Sequence, residues 1–459
     1  MAVKLNEHFT YKRIFKATIL PIILCIFTSL YCVVDGFCIA NFEGQDAFAG
    51  VNLIFPIIMI IGCFGFMFGS GGVALVGKYL GQKKQYEANN AFTNIVIAQF
   101  VVGLVLSIIT FFFIEPLSRA MASVTANANE EMIKEATKYG KIMILGQPLF
   151  MTQNVFSIFF LLDEKPKISF IATIGAGLTN MLLDFLFIGV FKWGTLGAGA
   201  ATIAGYIVAS VYSIVYFVKE KNGVFTFVKP KLALKDLGQT CFNGISEFAT
   251  NAAGSIVSII FNLQLLRYYG DIGVSAYGAL MYIVYIFYAF FFGYGSGMAP
   301  FISYNFGEDN KAELNNILKK SLIIITVLGL SIVTLCGCLA DALAYLFCSG
   351  DKDVEILSAH ATRVFAISFV FTGFSIFMSG WFTALNNGLI SAIIALLRSA
   401  IFQVAFVYVL PLLIGKEGIW ISVIGAEAIS TLLSFIFLLG MNKKYGYLPI
   451  KSNKKPANN

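Results

Sequence analysis

Long, almost uncharged apolar runs recur from one end of this 459-residue chain to the other, and nothing else in the sequence restricts its fold as much. A hydrocarbon core about 30 Å thick takes about 20 residues of helix to cross. Runs of that length lie near residues 15–40, 51–80, 92–114, 138–161, 167–191, 196–218, 239–267, 276–305, 317–348, 360–384, 389–413 and 418–441. Two more polar stretches between them, 126–140 and 349–363, read as short surface helices. Composition agrees. Only 12% of residues are charged, against about 25% in an average soluble domain. A disordered chain, a collagen-like repeat, a small disulfide scaffold and an ordinary cytosolic enzyme are all excluded. The expected fold is an all-α integral membrane protein with twelve transmembrane helices.

The net charge of +7 does not indicate nucleic acid, because the lysines sit in short clusters between apolar runs. The eight cysteines form no CxxC pair and have only His8 and His360 as histidine company, so they read as apolar thiols, not as disulfides or metal ligands. The first apolar run carries Asp35 and lacks a cleavage box, and so reads as a first span. Basic residues set the orientation. One set of span ends holds 22 of the 32 Lys and Arg residues, including both terminal segments. Both termini are therefore expected in the cytoplasm.

The chain also repeats itself. FGFMFGSGGVALVGKYLGQKKQYEANN (64–90) aligns with FFFGYGSGMAPFISYNFGEDNKAELNN (290–316) at one constant offset. Gly69, Ser70, Gly71, Gly81, Glu87, Asn89 and Asn90 meet identical residues. The offset is close to half the chain, which gives two six-span halves with parallel topology and an axis along the membrane normal. The expected organisation is a first lobe over 1–218, a basic cytoplasmic linker over 219–238, a second lobe over 239–441 and a basic tail over 442–459.

Polar and ionisable residues inside spans cost several kcal/mol unless they face inward, which makes each a candidate functional residue. Asp35 should lie in the outer half of the first span. Asn180 and Asp184, four residues apart and so on one helix face, reach a middle-to-outer depth in the fifth. Thr202 lies about 9 Å into the sixth at 1.5 Å per residue. Two carboxylates with amide and hydroxyl oxygens at one depth suit a hard cation, or a proton shared between the acids. The alternative is interhelical hydrogen bonding that merely packs the bundle. The second half is not a copy: its own set is Glu247, Arg398 and Glu427, and the depths of Glu247 and Arg398 suggest a buried pair, coupling, substrate-binding or purely structural. Pro21 and Pro300 are possible helix bends. The glycine runs 69–72 and 175–177 suit close helix packing.

Several of these stretches resemble the multidrug and toxic compound extrusion (MATE) transporters, in the MepA-like bacterial branch. The similarity runs through ILPIIL…VVDGF, GSGGVALVGKYLGQKKQYEANN, TNMLLDFLF, GTLGAGAATIAGY and GISEFATNAAGSIVSIIFN, and covers nearly the whole chain. It implies a MATE-type fold of two six-helix bundles and export of drugs by antiport with Na⁺ or H⁺ in a bacterial plasma membrane. It also implies that Asp35, Asn180, Asp184 and Thr202 form the cation or proton site. Relatives with a sodium site in the second lobe carry an acid in the tenth span, where this chain reads SIFMSGWFTALNN. Five acids against one base within the spans point to cationic amphipathic cargo. The expected protein is a monomer, not an enzyme, with no cofactor beyond the coupling ion. A flippase for a lipid-linked substrate is the alternative; such proteins line their cavity with basic residues, and Arg398 is the only one within a span.

Overall fold

The computed structural model describes residues 3–43, 45–123, 129–220, 223–348 and 352–448. Residues 449–459 of the expected tail, and parts of the two polar stretches and the linker, lie outside them. The described chain is helical almost throughout. The first bundle contains α1 (Tyr11–Phe42), α2 (Gln45–Gly81), α3 (Gln85–Ser123), α4 (Glu130–Leu162), α5 (Pro166–Asp184) and α6 (Gly194–Lys219). The second contains α7 (Leu234–Gly307), α8 (Lys311–Cys348), α9 (Lys352–Ala366), α10 (Phe369–Ala384), α11 (Gly388–Leu396), α12 (Phe402–Ile414) and α13 (Gly418–Tyr445).

Twelve crossings emerge once the breaks are read physically. Within α7, Gly270 adopts φ 66°, which is open to glycine without a Cβ clash. The chain folds back there. Phe261 and Tyr277 stack at 5.5 Å, although sixteen residues of straight helix would separate them by about 24 Å. α7 is therefore two spans. α9 and α10 meet at 54° and make one broken span. α11 continues through a π-helical turn, Leu397–Ile401, into α12. The chain then turns at Gly415, φ 72°, and returns as α13.

Two local expectations are corrected. Residues 130–140 are not a separate surface helix but the first turns of α4, which runs unbroken for 33 residues from its Asn129 cap. Charged residues mark where α4 leaves the apolar layer, not where the helix stops. Residues 352–366 do form their own helix, but Val354, Ser358, Ala361, Thr362 and Phe365 are buried along one face, so it packs as part of a span. The expected bends at Pro21 and Pro300 are not helix breaks, since α1 and α7 continue through both. Proline there still removes one N–H and frees the carbonyl a turn earlier.

Packing divides the molecule by depth. The residues 3–10, the linker and the 163–165 turn share one face, here termed the linker face. The larger apolar core mixes both bundles: α2 residues such as Met67 and Phe68 pack with Phe261, Phe301 and Ile302. A second core, with Ile39, Val51, Ile54, Met143 and Ile188, contains first-bundle residues alone and lies toward the far face. The bundles thus share one core that runs on through the second bundle, while the first bundle has a further core of its own toward the far face. Glycine makes the close contact possible. A Cβ on Gly71 would strike the Thr240 carbonyl, and one on Gly244 the Met67 carbonyl. Gly81 lies on the Tyr304 carbonyl and Gly307 on that of Lys78. Gly81 and Gly307 are repeat mates, so the crossing is symmetric. Outward faces show the reverse of a soluble pattern: Phe100, Val101, Leu104, Val105, Ile108, Ile109 and Phe112 of α3 are exposed at helical spacing, as lipid contact requires.

Candidate functional site

Asp35, Asn180, Asp184 and Thr202 come together between α1, α5 and α6. Asn180 and Asp184 project from the same face of α5 and are buried, as is Thr202. Gly205 on α6 has no room for a Cβ against the Ala176 carbonyl, and that close approach lets Asn180 reach across. Its Nδ2 donates to Thr202 Oγ1 at 3.2 Å, while the Thr202 hydroxyl donates to the Ala198 carbonyl at 3.0 Å. The Asp184 carboxyl lies close to Asn180 and faces that of Asp35. Directly after Asp184 the helix widens into a π-helical turn, Phe185–Val190, a feature that often accompanies functional sites.

The important property of this cluster is what it lacks. Asp35 Oδ1, both Asp184 oxygens and Asn180 Oδ1 are buried acceptors with no donor among the described residues. Two ionised carboxyls facing each other supply no proton, so their contact is a bond only when something positive lies between them. Buried polar atoms are ordinarily satisfied. Here the unsatisfied ones are all oxygens, and they share one site. Such a set fits a proton or a hard cation, which is bound by oxygen ligands.

A small void of about 10 Å³, room for roughly one water molecule, adjoins the cluster, lined by residues that include Tyr31, Gln153, Asn180, Thr202 and Tyr206. Gln153 of α4 was not among the residues expected from sequence. Its Oε1 is buried without a donor, like the oxygens beside it. The available signal was an uncharged amide in an otherwise apolar span, in a reading that weighed ionisable groups first.

In the second bundle the expected partner of Arg398 is corrected. Arg398 NH1 pairs with Glu427 Oε1 at 3.3 Å, and both side chains are buried. Glu427 Oε2 accepts from Ser375 Oγ at 2.9 Å. Glu247 feels the attraction of Arg398 but makes no ion pair with it. Counting residues along two helices gave a similar depth for Glu247 and Arg398 but said nothing about rotation around the helix axes. The π-helical turn that carries Arg398 directs its guanidinium to α13. Asp341, the fifth acid counted within the spans and placed near their outer end, is exposed and paired with Arg363.

Comparison with known proteins agrees with this architecture. The MatE family model matches the chain twice, over residues 21–186 and 248–409, once in each bundle. The multidrug export protein MepA of Staphylococcus haemolyticus is 24% identical over 443 residues, covering 95% of this chain and 96% of the relative. MepA of Staphylococcus aureus is 23% identical, covering 94% and 95%. Among solved structures, the outward-facing conformation of a multidrug resistance MATE transporter superposes with a TM-score of 0.90 at 20% identity, over 98% of this chain and 100% of that one. The repeat, the twelve spans and the twice-matched family model lead to one assignment: this chain belongs to the MatE family of multidrug and toxic compound extrusion transporters.

Proposed function

We propose that the protein exports cationic, amphipathic compounds from a bacterial cell by antiport with H⁺ or Na⁺, working as a monomer. The linker face is then cytoplasmic, with both termini inside. The lobes are residues 1–218 and 239–441, joined by 219–238 and followed by the tail 442–459, and they rock about the glycine crossing of α2 with α7. In the present form the lobes meet near the cytoplasm and part toward the outside.

The observation that carries this reading is the acceptor-only cluster of Asp35, Asn180, Asp184 and Thr202. Two carboxylates in a low-dielectric site cannot both remain charged without a counter-charge. A proton or Na⁺ entering from outside supplies it and draws the outer half of α1 toward α5. A drug cation competes for the same negative field, so the ion-loaded form releases drug outward. Reciprocal coupling of this kind gives exchange instead of leakage. Cationic cargo follows from the same charge: in the second lobe Arg398 is cancelled by Glu427, leaving Glu247 in excess, in a chain whose 15% aromatic content supplies ring faces that attract organic cations.

Inverted vesicles test the reading. An outward-directed drug flux driven by a pH or sodium gradient should be present with the natural chain and absent with Asp35→Asn, which keeps size and hydrogen bonding. If Asp35→Asn transports at the natural rate with unchanged ion dependence, the coupling site lies elsewhere and Glu247 becomes its leading candidate. Transport restricted to anionic compounds would remove the cation reading.

A further inference from the structure

The N-terminal segment, residues 3–10, precedes every span and turns alternate side chains into the protein. Val3, Leu5 and Phe9 are buried, and the Phe9 ring lies 4.8 Å from that of Phe301. The backbone of this short stretch is held by both bundles. On one side the Leu5 amide donates to Glu164 Oε1, in the turn after α4, at 2.7 Å. Four residues later the Phe9 amide donates to Glu313 Oε1 of α8 at 2.8 Å. The Phe9 carbonyl accepts from Asn316 Nδ2 at 2.9 Å and from Lys320 Nζ at 2.6 Å. His8 Nδ1 meets Glu313 Oε2 at 2.7 Å. Past residue 10 the chain enters α1, whose first turns lie on the second bundle: Ala17, Thr18 and Pro21 border Gly297, and Pro21 and Ile22 border Gly293.

The internal repeat accounts for the anchor. Glu87, Asn89 and Asn90 at the start of α3 recur as Glu313, Asn315 and Asn316 at the start of α8. In the first bundle this motif holds the linker. Asn89 Oδ1 accepts the Thr226 amide at 3.1 Å, and Asn90 exchanges two bonds with the Lys231 backbone at 2.8 and 3.0 Å. In the second bundle Asn315 Nδ2 donates to the Tyr447 carbonyl, while Glu313 and Asn316 hold Phe9. An asparagine amide offers a donor and an acceptor much as a peptide group does, so it can hold an extended backbone with little regard to its sequence. The repeated motif is thus a docking station for connecting segments, duplicated with the lobe. The first copy holds the linker against its own bundle. The second holds a segment that belongs to the other bundle, and so bridges the seam between them.

We propose that residues 3–10 are an interlobe latch that keeps the cytoplasmic seam shut and must leave the Glu313–Asn316 station each time that seam opens. The latch rests on the rocking motion proposed above. It would set how much of the population waits in the outward form, independently of the ion site. Breaking it should favour the cytoplasm-open form without touching Asp35 or Asp184, since charge-assisted hydrogen bonds are among the stronger contacts across the seam.

The test uses the full-length chain in lipid nanodiscs, with its eight cysteines replaced by alanine and transport first verified. Spin labels at Gln82 and Glu308, exposed turns on either side of the seam, report its opening as a long-distance population. Glu313→Ala should raise that population about tenfold, the size expected for losing one or two charged hydrogen bonds. A second variant locks the latch instead: His8→Cys with Glu313→Cys, oxidised, should abolish both the long distance and drug transport, and reduction should restore both. An unchanged distance distribution in Glu313→Ala, or transport by the oxidised double-cysteine protein, overturns the latch while leaving the rocking motion in place. A natural chain that shows no long distance under any ion or drug condition overturns the rocking motion and the latch with it.

Discussion

The two bundles bury charge in opposite ways. In the first, Asp35 and Asp184 face each other among amide and hydroxyl oxygens, with no basic group from the described residues and with acceptors left unmatched. In the second, Glu427 is answered by Arg398 and Ser375. One site needs a counter-charge from outside, and the other carries its own on a tether. A pseudo-symmetric pair of bundles can therefore divide labour. In the proposed exchange the first-bundle site would respond to an ion gradient, whereas the second bundle, with a covalently attached cation, would hold its charge state. α1 connects the two regimes: its first half rests on the second bundle through Gly293 and Gly297, and its second half presents Asp35 to the first.

The largest effect should come from removing the exchangeable charge. Asp184→Asn should bring ion-driven export to background in vesicles, and Asp35→Asn with Asp184→Asn should be no worse than either alone, because residues acting as a unit are not additive. Two single variants that each retain substantial transport, with losses that multiply in the double, would show that the acids act separately, and the contrast between bundles would fail.

Next in size is the tethered charge. Arg398→Met leaves Glu427 buried without its cation, which costs about 3–5 kcal/mol when a buried pair is broken from one side. Adding Glu427→Gln should restore most of the stability, since replacing both partners of a buried pair is often nearly neutral. Thermal unfolding in detergent measures this directly. If the double variant recovers stability but not export, the second bundle does more than hold its shape.

How much of this was legible beforehand follows from the physics. The spans were, because lipid demands long apolar runs, and the repeat was, because GSG and a Glu-x-Asn-Asn motif recur at one offset. The four first-bundle residues stood out as polar groups in apolar segments, and family resemblance sharpened them. Rotation about a helix axis was not legible: depth alone paired Arg398 with Glu247, whereas the π-helical turn, which leaves no plain mark in the sequence, gives it to Glu427. The start of α4 was misread because polarity marks the edge of the membrane and not the end of a helix. Residues 3–10 escaped notice because a short stretch holding both Lys4 and Glu7 has no periodicity to display.

Gln153 offers a finer probe of the exchangeable site. If its unmatched oxygen contributes to ion binding, Gln153→Leu should raise the ion concentration for half-maximal export about fivefold, the effect of losing one uncharged polar contact of about 1 kcal/mol. Maximal rate at saturating ion should be retained. A loss of rate with unchanged ion dependence would place Gln153 with the packing residues and not with the site.

The smallest effect concerns an acid outside both clusters, and it guards the comparison against a false signal. Asp163 follows α4 at the linker face and is fully buried, accepting the Val224 amide of the linker at 2.6 Å and the Tyr216 hydroxyl at 3.2 Å. Burial pushes its carboxyl up from 3.8 to about 6, with the hydrogen bonds pulling in the other direction. The docked linker therefore favours the protonated acid. That stabilisation is complete below about pH 4 and is lost as pH rises through about 6. Any pH profile of export measured near 6 would then mix linker docking with events at Asp35 and Asp184. Asp163→Asn keeps an acceptor for the Val224 amide and no longer titrates. It should flatten the dependence of unfolding temperature on pH between 4 and 7, by about 3 °C in a chain this long, while leaving the ion dependence of export intact. If it instead removes the pH dependence of export, the proton response belongs to the linker, and the first-bundle carboxyls are left with a metal cation as their counter-charge.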